Sequence, residues 1–110
     1  MINKTSAQYN WFNRCIFEQL SNVGCDLERA VRNRNNGNIK QSRSFFDHAL
    51  QLLQFTIDDP KNITLQQELN RVKNVLIDYF ISNNEDDLTD DAWYDYFLFF
   101  NYIYALQKGK

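Results

Sequence analysis

The chain has 110 residues, of which 44% are hydrophobic, so it is long and apolar enough for one folded domain and is not globally disordered. Its formal net charge of −2 does not supply the overall basic charge that general nucleic-acid binding usually requires, and it leaves room only for a local basic patch. Three glycines and one proline favour helices joined by short turns, and a single histidine with two separated cysteines argues against a structural zinc site.

The first predicted element is a long helix from about Ser6 to Arg32. Asp26 and Arg29 are spaced as an ion pair on its polar side. Gly24 predicts a bend or a close contact with another helix. Apolar residues recur along it at steps of three and four, which is the helical period: Phe12, Ile16, Leu20, Val23, Leu27, Ala30 and Val31.

The second and third predicted helices are bounded by turn and capping signals. The second runs from about Ile39 to Thr56 and stops before Pro60, because proline disfavours a helical conformation in the preceding residue. The third begins with a capping box, in which Thr64 caps the helix and Gln67 reaches back to it. The stripe of the second helix contains Ile39, Ser42, Phe46, Ala49, Leu53 and Ile57.

The fourth predicted helix starts at Thr89, whose hydroxyl is expected to cap it, and runs through Leu106. Short connections between four helices predict antiparallel neighbours, with the 33–38 and 83–89 turns at one end. Basic residues flank the first of these turns and acidic residues the second. We therefore predict an all-α, antiparallel up-down four-helix bundle with a long first helix. It forms a single domain of residues 1–110, in which residues 1–10 could pack loosely.

The fourth helix contains more apolar surface than one bundle face needs. Eight of the seventeen aromatic residues of the chain (2 Trp, 6 Tyr and 9 Phe) lie between Trp93 and Leu106. One face, with Trp93, Phe97, Phe100 and Tyr104, can close the core. Four residues on the remaining surface should stay partly uncovered, and tyrosine suits such a place because it combines an apolar ring with a polar tip: Tyr94, Leu98, Phe99 and Tyr102.

Three interpretations of this extra surface are open. The long first helix or the N-terminal ten residues could fold over it. It could be a homodimer interface. It could also be a groove for the amphipathic helix or unfolded segment of a partner protein. The first and third are compatible if the N-terminal cover is displaceable.

One pattern with catalytic meaning is present. Arg43 and His48 have the R-x4-H spacing of helical ribonucleases of the HEPN class. Five steps along a continuous helix rotate by about 140°, so the two side chains should not share a face unless a dimer completes the site. A ribonuclease using these two residues is one alternative function, and a small immunity-type helical bundle is another.

A family resemblance rests on helix lengths and on several positions. Ile57-Asp58 ends the second helix before a turn, and Asn84 follows the third. From Ile16 to Leu106 the chain resembles the flagellin-export chaperones, the FliS family. The resemblance implies a helical bundle that binds the disordered C-terminal segment of flagellin in apolar grooves. It also implies a displaceable N-terminal cover, here Ile2, Tyr9 and Trp11. The matching apolar positions of the third helix are Leu69, Val72, Leu76 and Phe80.

We therefore expect a non-enzymatic binding protein whose partner is a flagellin-like or other helical client, or a second copy. No cofactor, metal, nucleic acid or membrane is expected to take part. The N-terminus has no secretion-signal pattern, and the longest apolar run is too short to span a bilayer, so a cytoplasmic location is expected. The predicted partner-binding residues are Tyr94, Leu98, Phe99, Tyr102, Leu106 and Trp11.

Overall fold

The computed structural model describes residues 6–109, and these contain helices and no strand. The prediction of an all-α chain is confirmed, but the prediction of four helices is wrong in number. A short 3-10 helix, Pro60–Leu65, precedes the fourth of five α-helices. The α-helices are α1 (Ser6–Phe12), α2 (Ile16–Asn35), α3 (Ile39–Asp58), α4 (Gln66–Phe80) and α5 (Asp90–Lys108).

The predicted long first helix is broken at residues 13–15 into α1 and α2. Cys15 is extended, with φ −73° and ψ 163°, and precedes the first residue of α2. The break turns the end of α1 toward α3, where the Trp11 indole Nε1 donates a hydrogen bond to Thr56 Oγ1 at 2.9 Å. Gln19 Nε2 donates to the Trp11 carbonyl oxygen at 3.0 Å. These tertiary hydrogen bonds favour a bent chain over a continuous helix.

The start of α4 also differs from the prediction. Thr64 lies inside the 3-10 helix, and Leu65 precedes α4 without a side-chain cap, so the predicted capping box is wrong. Asp59 instead accepts a hydrogen bond from the Lys61 backbone N–H at 3.1 Å and starts the 3-10 turn upstream. The end of the preceding helix is as predicted, because α3 stops at Asp58 just before Pro60.

Helix α2 packs against α3 on one side and α5 on the other, and α4 packs against α3. Cys15 at the start of α2 lies 3.9 Å (Sγ to Oε1) from Gln107 near the end of α5. At the opposite end, Arg34 Nη2 donates to Asp90 Oδ2 at 2.6 Å. Helices α2 and α5 are therefore antiparallel, and the turns around residues 33–38 and 83–89 meet at one end.

The core is continuous and apolar, and it contains most of the residues that the sequence predicts on the apolar stripes of the helices. Ile39 is an exception, because the first residue of α3 lies exposed. The predicted close contact of Gly24 is confirmed: a Cβ built there would lie 2.5 Å from Phe97 Cβ on α5. The buried apolar residues are Trp11, Leu20, Val23, Leu27, Ala30, Val31, Phe46, Ala49, Leu53, Ile57, Leu69, Val72, Leu76, Tyr79, Trp93 and Phe97.

Candidate partner-binding surface

Helix α5 buries one face through two aromatic side chains. Phe97 is 3% exposed and lies directly over Gly24 of α2, where the missing side chain allows the two helices to approach. Trp93 is buried one turn earlier, with its ring centroid 5.8 Å from that of Tyr79 on α4. The inner face of α5 is thus held by α2 along its length and by α4 near its start.

The opposite face of α5 is open to solvent. Leu98, Phe99, Tyr102 and Leu106 are 60%, 57%, 62% and 50% exposed. Their spacing of three and four residues aligns them in one stripe, which we call the outer face. At about 200 Å² for each such side chain, the outer face presents on the order of 400 Å² of exposed surface. A contiguous apolar patch of this size on a small protein commonly marks an interaction site.

A shallow groove of about 580 Å³ runs along this face. Leu98, Phe99 and Tyr102 line it together with Asp95 and Asn101, and its surface is almost entirely apolar. An exposed apolar surface of this kind can accept the apolar face of an amphipathic segment from another protein.

The other two predicted partner-binding residues lie elsewhere. Tyr94 is half-buried and packs against the core, and burial, followed by the charges of Asp90 and Glu28, raises the pKa of its phenol. Trp11 is only 6% exposed, and its indole is hydrogen-bonded to α3, so it belongs to the core and not to the outer face. The large indole of Trp11 is compatible with a place in the core or on a binding surface. The bend after α1 places it in the core.

The predicted N-terminal cover of α5 is not seen in residues 6–109. Helix α1 packs against α3, whereas α5 packs against α2, and the outer face stays exposed. Tyr9 is exposed on α1. Ile2, the remaining member of the predicted cover, lies outside the described residues.

A charged network fixes the start of α5. Thr89 Oγ1 accepts a hydrogen bond from the Ala92 backbone N–H at 3.1 Å, so the predicted cap is confirmed. Asp90 accepts hydrogen bonds from Arg34 and from the Tyr79 hydroxyl. Burial acts to raise the pKa of Asp90, but these hydrogen bonds outweigh it and hold the pKa below its usual value. Burial, followed by the hydrogen bond to Asp90, raises the pKa of Tyr79.

Two further acids lie on the exposed side of the same helix. Asp91 and Asp95 are exposed, and neither forms an ion pair within residues 6–109. Asp95 precedes Leu98 and Phe99 by three and four residues, so it continues the outer face toward the N-terminus of α5. No lysine or arginine occurs between Asn74 and Gln107, so α5 has no basic residue of its own beside these acids.

Arg43 and His48, the candidate ribonuclease pair, contact different residues. Arg43 Nε donates to Asp47 at 3.0 Å on the exposed side of α3. His48 Nδ1 contacts the carboxylate of Asp26, which is buried on α2 and also accepts a hydrogen bond from Arg29 at 3.3 Å. The structure shows no contact between Arg43 and His48, in line with the rotation expected from five helical steps.

A buried polar network at the α1–α2 bend was not predicted. Gln19 Nε2 donates to Asp59 at 2.9 Å, and Asn62 Nδ2 donates to Gln19 Oε1 at 2.9 Å. All three side chains are buried. One signal was present in the sequence: Gln19 lies on the apolar face of its helix, three residues after Ile16 and four before Val23.

Within residues 6–109, no group of three or more His, Cys, Asp or Glu side chains converges so as to hold a metal ion. None of the helices described has the length and apolar character needed to cross a membrane. Comparison of the chain with protein-family models, with curated proteins and with solved structures finds no match.

Proposed function

We propose that this protein is a non-enzymatic binding protein that captures an amphipathic or disordered segment of a client on the outer face of α5. The observation that carries the proposal is the exposure of Leu98, Phe99, Tyr102 and Leu106 in one stripe, on a helix whose opposite face is tightly packed. Leaving this stripe in water costs free energy that a partner's apolar residues would recover.

We further propose a role like that of the flagellin-export chaperones that the sequence resembles. In this reading, α2 to α5 act as the antiparallel four-helix bundle of such a chaperone, and α1 is an additional N-terminal helix. The client is a flagellin-like C-terminal segment, bound in the cytoplasm before export. The apolar groove lined by Leu98, Phe99 and Tyr102 supports this proposal, because it suits the apolar face of a segment that becomes helical on binding.

The test is a binding titration with a synthetic peptide that copies the C-terminal segment of a flagellin from the same organism. Wild-type protein should bind it, and the Phe99→Ala/Tyr102→Ala double variant should bind at least about tenfold more weakly, because buried aromatic anchors carry most of the energy of such interfaces. The matched control is Ile39→Ala/Ile63→Ala, which removes two equally exposed apolar side chains elsewhere on the surface.

Two results would count against the proposal. Absence of peptide binding to the wild type would refute flagellin as the client. Equal binding by wild type and the Phe99→Ala/Tyr102→Ala variant would show that the outer face is not the binding surface.

A further inference from the structure

The outer face has a charge asymmetry along the axis of α5. Its C-terminal part is apolar, from Leu98 to Leu106, and its N-terminal part carries Asp91 and Asp95. Asp91 is in the first turn of the helix, where the helix dipole accounts for an acid. Asp95 is beyond the first turn, so the dipole does not explain it, and it lies beside the apolar groove without an ion-pair partner within residues 6–109.

We infer that the occupant of the outer face is an amphipathic helix with lysine or arginine in its C-terminal turns. This inference rests on the proposed function and specifies the chemistry of the client. An antiparallel arrangement places those basic turns over Asp91 and Asp95, while the apolar residues of the client contact Leu98, Phe99, Tyr102 and Leu106. The helix dipole also favours cations at the C-terminal end of a helix. The dipole of the client and the acids of α5 therefore favour basic residues at the same end of the client.

The length of the face sets the length of the client. Fifteen steps separate Asp91 from Leu106, which is about 22 Å of helix. A client helix of about four to five turns therefore covers the face from its acidic end to its apolar end.

A second copy of the chain fits this face less well. Lys108 is the only basic residue that the structure describes on α5, and it lies 5.4 Å from the ring centroid of Tyr104, on the side away from the outer face. An antiparallel second α5 would set Asp95 against Leu106 and leave the carboxylate without a cation.

The experiment uses two synthetic 18-residue helical peptides with the same leucine stripe. One has four lysines in its last two turns, and the other has four glutamates there. Wild-type protein should bind the lysine peptide about tenfold more tightly, with an affinity that falls as salt is raised. The Asp91→Asn/Asp95→Asn variant should lose about three- to tenfold of that affinity, as expected for two exposed ion pairs.

A matched variant distinguishes an effect of Asp91 and Asp95 on binding from an effect of the net charge of the protein. Asp47→Asn/Asp58→Asn removes two exposed acids on α3, changes the net charge by the same amount, and should bind the lysine peptide as the wild type does. A third peptide, with the lysines moved to its first two turns, should bind more weakly if the arrangement is antiparallel.

The outcomes distinguish this inference from the proposed function. Equal affinity for the lysine and glutamate peptides would overturn the inference and leave an apolar binding surface in place. Binding of neither peptide would count against both. A wild-type dimer in sedimentation experiments that Phe99→Ala/Tyr102→Ala converts to a monomer would assign the outer face to a second copy and overturn the inference.

Discussion

Replacement of Gly24 by alanine tests whether the close approach of α2 and α5 sets which face of α5 is buried. The added Cβ would lie 2.5 Å from Phe97 Cβ and 2.9 Å from Phe97 Cγ, whereas contacts become ordinary at 3.4 Å. The helices must therefore separate by about 0.9 Å, or one of them must rotate. The Cβ atom of Phe97 is fixed to the backbone, so a change of side-chain rotamer cannot relieve the contact.

Two opposing effects determine the magnitude. Alanine is favoured over glycine inside a helix by about 1 kcal/mol. Overpacking of a tight core contact costs about 1–3 kcal/mol, and a contact with a backbone-fixed Cβ falls at the upper end. The net expectation for Gly24→Ala is a loss of about 1–2 kcal/mol in the free energy of unfolding.

The assay is urea unfolding monitored by far-UV circular dichroism. A change in the midpoint at an unchanged m-value then reports a change in stability. Gly109→Ala is the matched control, because a Cβ there would lie 3.5 Å from the nearest atom, and its stability should stay within about 0.5 kcal/mol of the wild type. A Gly24→Ala protein more stable than the wild type would refute the reasoning, since helix propensity would then exceed any steric cost.

Three further predictions concern burial, pH and catalysis. Phe97→Ala should lower the free energy of unfolding by about 3–5 kcal/mol, and Phe99→Ala should lower it by less than about 1 kcal/mol. The same urea-unfolding assay measures both. A larger loss for Phe99→Ala than for Phe97→Ala would mean that the inner and outer faces are exchanged. Because the pKa of Asp90 is lowered in the folded state, its carboxylate stabilises the fold above the unfolded pKa of about 4, and this contribution is lost as the pH falls through the folded pKa. The stability difference between wild type and Asp90→Asn should therefore be largest near pH 7 and disappear at strongly acidic pH, and a difference independent of pH would contradict this account. Purified wild type and His48→Ala should both leave a labelled single-stranded RNA intact; cleavage by the wild type that His48→Ala abolishes would instead support the ribonuclease alternative.

Local signals in the sequence predicted the features that depend on nearby residues. The helical class follows from apolar residues at steps of three and four, because that period alone places them on one face of a helix. Thr89 caps α5, and α3 stops before Pro60, because both effects act within one turn of backbone. The ion pair between Asp26 and Arg29 lies within one helix and was predicted for the same reason.

Two features that depend on distant contacts, the bend after α1 and the start of α4, could not be predicted in this way. The bend after α1 is stabilised by the hydrogen bond of Trp11 to Thr56, 45 residues away. The capping signal at Thr64 was overridden by the turn that Asp59 starts, and the Asp59 carboxylate also accepts a hydrogen bond from Gln19, 40 residues away. Both cases are competition between a local preference worth about 1 kcal/mol and tertiary contacts of equal or larger size.

The sequence by itself determined that α5 is apolar on more than one face, since twelve of the fourteen residues from Trp93 to Leu106 are apolar or aromatic. It also predicted that the face with Trp93 and Phe97 closes the core and that Leu98, Phe99 and Tyr102 stay uncovered, and the observed burial agrees. Only the tertiary structure shows how the inner face is held, through the contact of Phe97 with Gly24, the point at which α2 has no side chain. Close approach there buries the Phe97 face and leaves Leu98, Phe99, Tyr102 and Leu106 to solvent.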